Sequence, residues 1–191
     1  MTSLKPEVWL RTNRRALTAM MGPPALLLAG SLTGLIWSLA THQGWFISAM
    51  CGLFVLVLLW LFAGLTSAMF QPRVAYQAGE LLVYLDFGKA ARVPIDIVEV
   101  FFPGQGPSEL PKLKGREPET QNVIIRLAES ATEWKHREMK AAIGMWCEGY
   151  ITIRGSWCEP ITPEVLRQLN HRLVEIQRER KAARQAEGAA S

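Results

Sequence analysis

Metal or thiol chemistry in this chain would rest on three histidines and three cysteines, and their spacing supports neither. His136 stands in Lys135-His136-Arg137, a charged stretch, and His171 stands beside Arg172. Neither has a Cys, Asp or Glu partner at ligand spacing. Cys51 lies inside an apolar run. Cys147 and Cys158, each preceded by a tryptophan, are too few and too far apart for a zinc site. A redox pair facing across a hairpin is one reading of them, and buried inert thiols are the simpler one. Asp96 and Glu99 are a conceivable carboxylate pair, but charges on a strand surface explain them more simply. No GxSxG, HExxH, P-loop or GxGxxG occurs, and Gly104-Gln105-Gly106 lacks a third glycine and a following helix. The expectation is a protein that is not an enzyme, with no catalytic residue, no cofactor site and no metal site.

The elements around these residues are of two unlike kinds. The chain carries 21 basic and 17 acidic side chains, yet residues 16 to 72 contain none of them. This excludes an ordinary soluble globule and a chain dominated by disorder. The net charge of +4 is too small to signal nucleic-acid binding. The uncharged run divides at Thr41-His42-Gln43-Gly44, leaving spans of about 17–40 and 45–69. Each exceeds the roughly 20 apolar residues a membrane helix needs. A second apolar stretch follows the first at once, which argues against a cleaved signal peptide. The expected organisation is a basic N-terminal segment over 1–15, a transmembrane hairpin over 16–70, a β domain over 73–177 and a charged tail over 178–191.

Lys5, Arg11, Arg14 and Arg15 precede the first span, Arg73, Lys89 and Arg92 follow the second, and the intervening loop has no Lys or Arg. The positive-inside rule then places both termini in the cytoplasm, as a multi-pass protein of the inner membrane. Arg11, Arg14, Arg15, Arg73, Lys89 and Arg92 are the candidate contacts with anionic lipid. Pro23 and Pro24 leave two readings of the first span. One has a separate interfacial helix over residues 6 to 21, with Trp9, Leu10 and Leu17 toward lipid. The other is one long, kinked helix. Gly30 with Gly34, and Ser48 with Gly52, have the small-xxx-small spacing that lets helices approach closely, within the hairpin or between copies of the chain. Neither span holds an ionisable residue, which argues against a transporter.

Beyond the spans, Val74 to Gln77, Glu80 to Phe87 and Ala91 to Phe102 read as strands separated by glycine turns. Alternation slips at Val98, which predicts a bulge or short turn, and Pro94 predicts an edge position or an irregularity there. Residues 103 to 120, rich in Pro and Gly, read as a loop. Asn122 to Ala128 and Tyr150 to Arg154 return to strand character, while 130 to 144 fits neither period. Thr162 as N-cap, Pro163 in the first turn, and Leu166, Leu169, Leu173 and Ile176 on one stripe predict a closing helix.

Arg73-Val-Ala-Tyr-Gln-Ala-Gly-Glu-Leu-Leu-Val-Tyr-Leu and Arg92-Val-Pro-Ile-Asp-Ile-Val-Glu-Val, with two spans ahead and an amphipathic helix behind, resemble the bacterial PH-like membrane proteins. The resemblance covers roughly residues 17 to 102 and, loosely, 150 to 177. It implies a seven-strand, partly open barrel closed by a helix, and a binding or scaffolding role at the membrane. Lys89 and Arg92 alone do not make an inositol-phosphate pocket. The partners expected are membrane lipid and a membrane or cytoplasmic protein, with self-association as a further reading. The second functional reading is a structural subunit of a membrane complex or pore, in which the hairpin is the working part.

Overall fold

Asn13 sets the start of the first helix. Its Oδ1 accepts a hydrogen bond from the Ala16 amide at 3.2 Å, which caps the free N-terminal donors. From there α1 (Arg14–Ala40) runs unbroken through Pro23 and Pro24, and α2 (Trp45–Phe70) follows. This computed structural model describes residues 5–41, 45–86, 88–107, 119–141 and 143–190. The interhelical residues His42 to Gly44 lie outside them. Two compact units emerge: Asn13–Gln71, and Met1–Thr12 together with Pro72–Ser191.

Both helices are long and apolar enough to cross a membrane. Ser38 is buried, and its Oγ lies 2.9 Å from Ser48 Oγ, so the two helices meet there. Every other hydroxyl of the pair turns back on its own helix: Thr18, Ser31, Thr33, Thr41, Thr66 and Ser67 each donate to a carbonyl three or four residues earlier. Such back-bonding removes polar groups from an apolar solvent.

The interfacial helix over residues 6 to 21 does not form; the long-helix reading holds from Arg14 onward. Glu7–Leu10 is instead β1, an edge strand of the β domain. Trp9 and Leu10 face the domain's core rather than lipid, at 6% and 0% exposure. An extended Glu7–Leu10 pairs its backbone with a neighbouring strand and buries two large apolar side chains together. A helix lying on a membrane would have left those side chains in lipid.

In the β domain, β1, β2 (Val74–Gln77), β3 (Glu80–Val83) and β4 (Ala91–Pro94) form an antiparallel sheet in chain order. The whole helical pair is therefore inserted between two hydrogen-bonded neighbours. The Arg73 amide donates to Leu10 O at 2.9 Å, and Glu7 pairs with Tyr76. A 3-10 turn over Ile95–Ile97 then carries the chain to a second antiparallel sheet, which is where alternation fails in the sequence. That sheet has the order β5 (Val98–Pro107), β6 (Glu119–Leu127), β9 (Tyr150–Ile153), β8 (Gly144–Cys147), β7 (Met139–Lys140). A short α3 (Thr132–Lys135) precedes β7.

The expected loop over 103 to 120 is corrected at both ends, since β5 continues to Pro107 and β6 begins at Glu119; residues 108–118 lie outside the described ones. Pro103 is tolerated because β5 is an edge strand. Gly104 and Gly106 are strand residues because Ile124 and Asn122 of β6 occupy the space a Cβ would need. The turns β2–β3 and β8–β9 are tight and need two positive φ values each, at Ala78 (51°) and Gly79 (89°), and at Glu148 (51°) and Gly149 (80°).

One apolar cluster joins the sheets, with Leu10, Val74, Leu81, Val83, Phe101, Ile125, Trp146, Ile151 and Ile153 among its members. The closing helix α4 (Pro163–Ala190) adds Leu169 and Leu173, each 1% exposed. Its polar residues finish the seal. Asn170 Oδ1 accepts from the Phe101 amide at 2.9 Å and its Nδ2 donates to Phe101 O at 2.8 Å. Gln177 Nε2 donates to Ile95 O and Val98 O. Arg172 reaches Val8 O and pairs with Glu7 at 3.3 Å. The helix thus satisfies open backbone on both β1 and β5. The helix also runs on through the expected tail, where Arg180 and Arg184 both pair with Asp96.

Candidate functional site

The six basic residues expected at a lipid surface do not form one group. Arg11, Arg14, Arg15, Lys89 and Arg92 are exposed. Arg11 lies between Thr12 and the end of β1; its backbone exchanges hydrogen bonds with Glu159. Arg14 stands over the Phe70 ring at 6.0 Å. Arg92 pairs with Glu80 across β3 and β4 at 3.3 Å, with both side chains well exposed, so the pair adds little stability.

Arg73 departs from the expectation entirely. It is 0% exposed and is no surface contact. The hydrogen bond from its amide to Leu10 O draws Arg73 into the β1–β2 pair. Its Nε donates to Trp157 O at 3.0 Å, but Nη1 and Nη2 find no hydrogen-bond partner among the described residues. Burial pulls the guanidinium below its usual pKa, and the ionisable group acting on it is Cys158. That thiol gives no compensating charge. Burial pushes its pKa up to about 12 against the pull of Arg73, so it is neutral at pH 7 and donates to Arg154 O at 3.2 Å. A buried charge without a counter-charge costs several kcal/mol. Nothing in the residue spacing around Arg73 signalled this, because its surroundings come from the far ends of the chain: Leu10, Trp157 and Cys158.

Three cysteines are free thiols, with Cys158 buried and Cys51 and Cys147 half-buried, and no disulfide joins Cys147 to Cys158. Asp96 and Glu99 do not act as a carboxylate pair, since Asp96 faces Arg180 and Arg184 while Glu99 binds Arg126 at 3.0 Å. Against the expectation that His171 has no acidic partner, Glu175 stands one helical turn on and lies 3.9 Å from it on α4. Among the described residues no three His, Cys, Asp or Glu side chains are placed to share a metal ion.

A concave surface of the domain lies elsewhere. A cleft of about 560 Å³ opens between the end of β6, α3 and the β8–β9 turn. Arg126, Lys135, His136 and Tyr150 line it, with Glu129, Glu138 and Glu148 as acidic neighbours. Beside it Trp134 stacks on Trp146 at 5.6 Å, and the Arg137 guanidinium covers both rings at 5.5 and 5.3 Å. Trp146 Nε1 donates to Trp134 O, which fixes α3 against β8. Sequence reasoning left 130 to 144 unassigned because this segment takes its shape from a tryptophan pair, not from a repeating pattern. The arrangement can hold a polar, charged partner.

The small residues of the helical pair divide. Ser48 packs against Ser38, whereas Gly30, Gly34 and Gly52 have nothing within 4 Å of a Cβ position. Gly30 and Gly34 therefore do not pack within the hairpin. No family model, no curated protein and no solved structure matches this chain.

Proposed function

We propose that the chain is a membrane-anchored, non-enzymatic binding or scaffold module that presents a PH-like domain at the cytoplasmic face of the inner membrane. The observation that carries this reading is the surface of the helical pair. Leu26, Trp45 and Trp60 are 77%, 82% and 80% exposed, and the hydroxyls of Ser31, Thr33 and Thr66 donate to carbonyls of their own helices. So much uncovered apolar surface is unstable in water and stable in lipid. The strand pairing adds a constraint on sidedness. Residues on both flanks of the pair belong to one β domain, so two crossings return the chain to the side it left. The basic flanks favour the cytoplasmic side. Two antiparallel sheets around one core, closed by a C-terminal helix, support the PH-like assignment, and the charged cleft is the surface suited to a polar partner.

Reporter fusions at residues 1, 43 and 191 test the arrangement. Cytoplasmic signals at both ends and a periplasmic signal at 43 are expected. A periplasmic signal at residue 191 overturns it.

A second reading is favoured by Gly30 and Gly34, whose open faces on α1 suit association with another helix. In that case the hairpin is the working part of a membrane complex. The mass of the full-length chain in mild detergent separates the two, since a complex subunit runs as one large assembly of fixed stoichiometry and an anchored module does not.

A further inference from the structure

We infer that the outer face of the five-stranded sheet is a docking surface for a protein partner that presents an apolar patch with a basic flank. The inference rests on the reading of the chain as a binding module, and it names the surface and the chemistry of the partner. The sheet is antiparallel, and Val123, Ile125, Ile151 and Trp146 point inward to the core. Alternation turns the intervening residues outward, where polar side chains are the rule. Here they are largely apolar. The register aligns Phe102, Ile124, Thr152 and Met145 in one row across β5, β6, β9 and β8. The next row is Val100, Arg126, Tyr150 and Cys147. Two contacts show that the rows share a face. The Phe102 and Tyr150 rings meet edge to face at 6.3 Å, and the Ile124 side chain fills the space of a Cβ on Gly104, two residues from Phe102. None of these apolar residues belongs to the core cluster or packs against it. Met145 and Tyr150 are 40% and 41% exposed, and Val100, Phe102, Ile124 and Cys147 are half-buried. A contiguous apolar patch on a soluble face marks a protein contact, and Phe, Tyr and Met are the side chains enriched there.

Charge decides what covers the patch. Arg126 and Tyr150 carry it into the cleft of about 560 Å³. There Arg126 is held by Glu99 at 3.0 Å and by Glu129 at 3.3 Å. Lys135 is the other permanent cation of the lining, and it stands against Glu138 and Glu148. Carboxylates thus outnumber cations at this end, although the chain as a whole carries +4. The opposite margin, on β7, carries Lys140. Surplus carboxylates repel the phosphates of an anionic membrane and select a partner whose flank holds Lys or Arg.

The test is photocrosslinking of the full-length protein in the cells that make it. The probe is p-benzoylphenylalanine, introduced as Met145→p-benzoylphenylalanine or Tyr150→p-benzoylphenylalanine. The control is Val174→p-benzoylphenylalanine on α4, a position 44% exposed. The expected result is one discrete adduct with a second protein from positions 145 and 150 and none from 174. The linked peptide of that partner should be apolar and flanked by Lys or Arg. The double substitution Glu138→Lys and Glu148→Lys should lower the adduct yield about threefold or more, whereas Lys140→Glu should not lower it. Protease resistance equal to wild type shows that each variant is folded. A yield unmoved by the double charge reversal overturns the proposal, as does an adduct with lipid, with a second copy of the chain or within the same chain. The same partner captured from 174 and not from 145 or 150 overturns this surface and leaves the binding-module reading standing. No adduct from any of the three positions counts against both. The reporter fusions at residues 1, 43 and 191 report on the membrane reading separately.

Discussion

A thiol and a guanidinium buried side by side would ordinarily suggest a reactive thiolate, but burial decides otherwise at Cys158. The charged form of the thiol loses more by desolvation than it gains from Arg73, and its pKa rises to about 12. The consequence for stability has a definite sign. In the unfolded chain the thiol loses its proton near pH 8.5–9, while in the folded protein it keeps the proton up to about 12. Between those values the folded state binds more protons, so stability is complete below the lower pKa and falls as pH rises toward the upper one. The expected loss is about 1 kcal/mol per pH unit. Thermal midpoints of the full-length protein between pH 8 and pH 10 should fall more steeply for the wild type than for Cys158→Ala. Parallel slopes for the two would show that this thiol does not resist ionisation. Spacing alone raised the choice between an inert and a redox thiol, and no residue near Cys158 in sequence could settle it.

At the scale of elements, α4 does two jobs through one face. Leu169 and Leu173 fill the core, and Asn170 and Gln177, one heptad apart, satisfy backbone that strands would otherwise leave open. The apolar stripe was legible because its spacing repeats. The polar pair was not, since Asn170 has meaning only once the backbone of Phe101 lies opposite. Leu169→Asp should unfold the domain, because a buried unpaired charge costs several kcal/mol, comparable to a small domain's whole stability. Asn170→Ala should destabilise it by about 1–3 kcal/mol, through the orphaned Phe101 amide and carbonyl. Arg180→Ala should change stability by no more than about 0.5 kcal/mol, since its pair with Asp96 is partly exposed. Limited proteolysis and thermal midpoints rank the three. Wild-type protease resistance in Leu169→Asp would mean that α4 does not close the core.

At the scale of the whole molecule, the insertion of the helical pair between β1 and β2 changes what counts as the domain. A fragment over 73–191 lacks β1 and with it Trp9 and Leu10, both core residues. The Arg73 amide would lose its acceptor, and β2 would become a bare edge strand. Such a fragment should be insoluble or unfolded. Residues 5–12 joined to 72–191 by a short glycine-rich turn should instead give a soluble, cooperatively folding domain, because Leu10 and Val74 already stand opposite each other. Circular dichroism and a denaturant titration on both fragments would check this. A folded 73–191 fragment would show that β1 is dispensable.

Some of this was settled by the sequence alone. Fifty-odd residues without a charge can be read directly, because the preference of a side chain for lipid or water is a property of that side chain. The β strands after Arg73, the turn near Val98 and the apolar stripe of α4 follow from local periodicity in the same way. Where Glu7–Leu10 belongs was decided only by tertiary structure. Four residues are too short for a period to show, and they lie more than sixty residues from their partner strand. The same holds for Arg73, whose charge points to water in any linear reading. It is buried because the Leu10 carbonyl and the Trp157 carbonyl, from opposite ends of the chain, bind its amide and its Nε. Pairings between distant segments leave no local trace, because the energy that fixes them arises only when both segments are present.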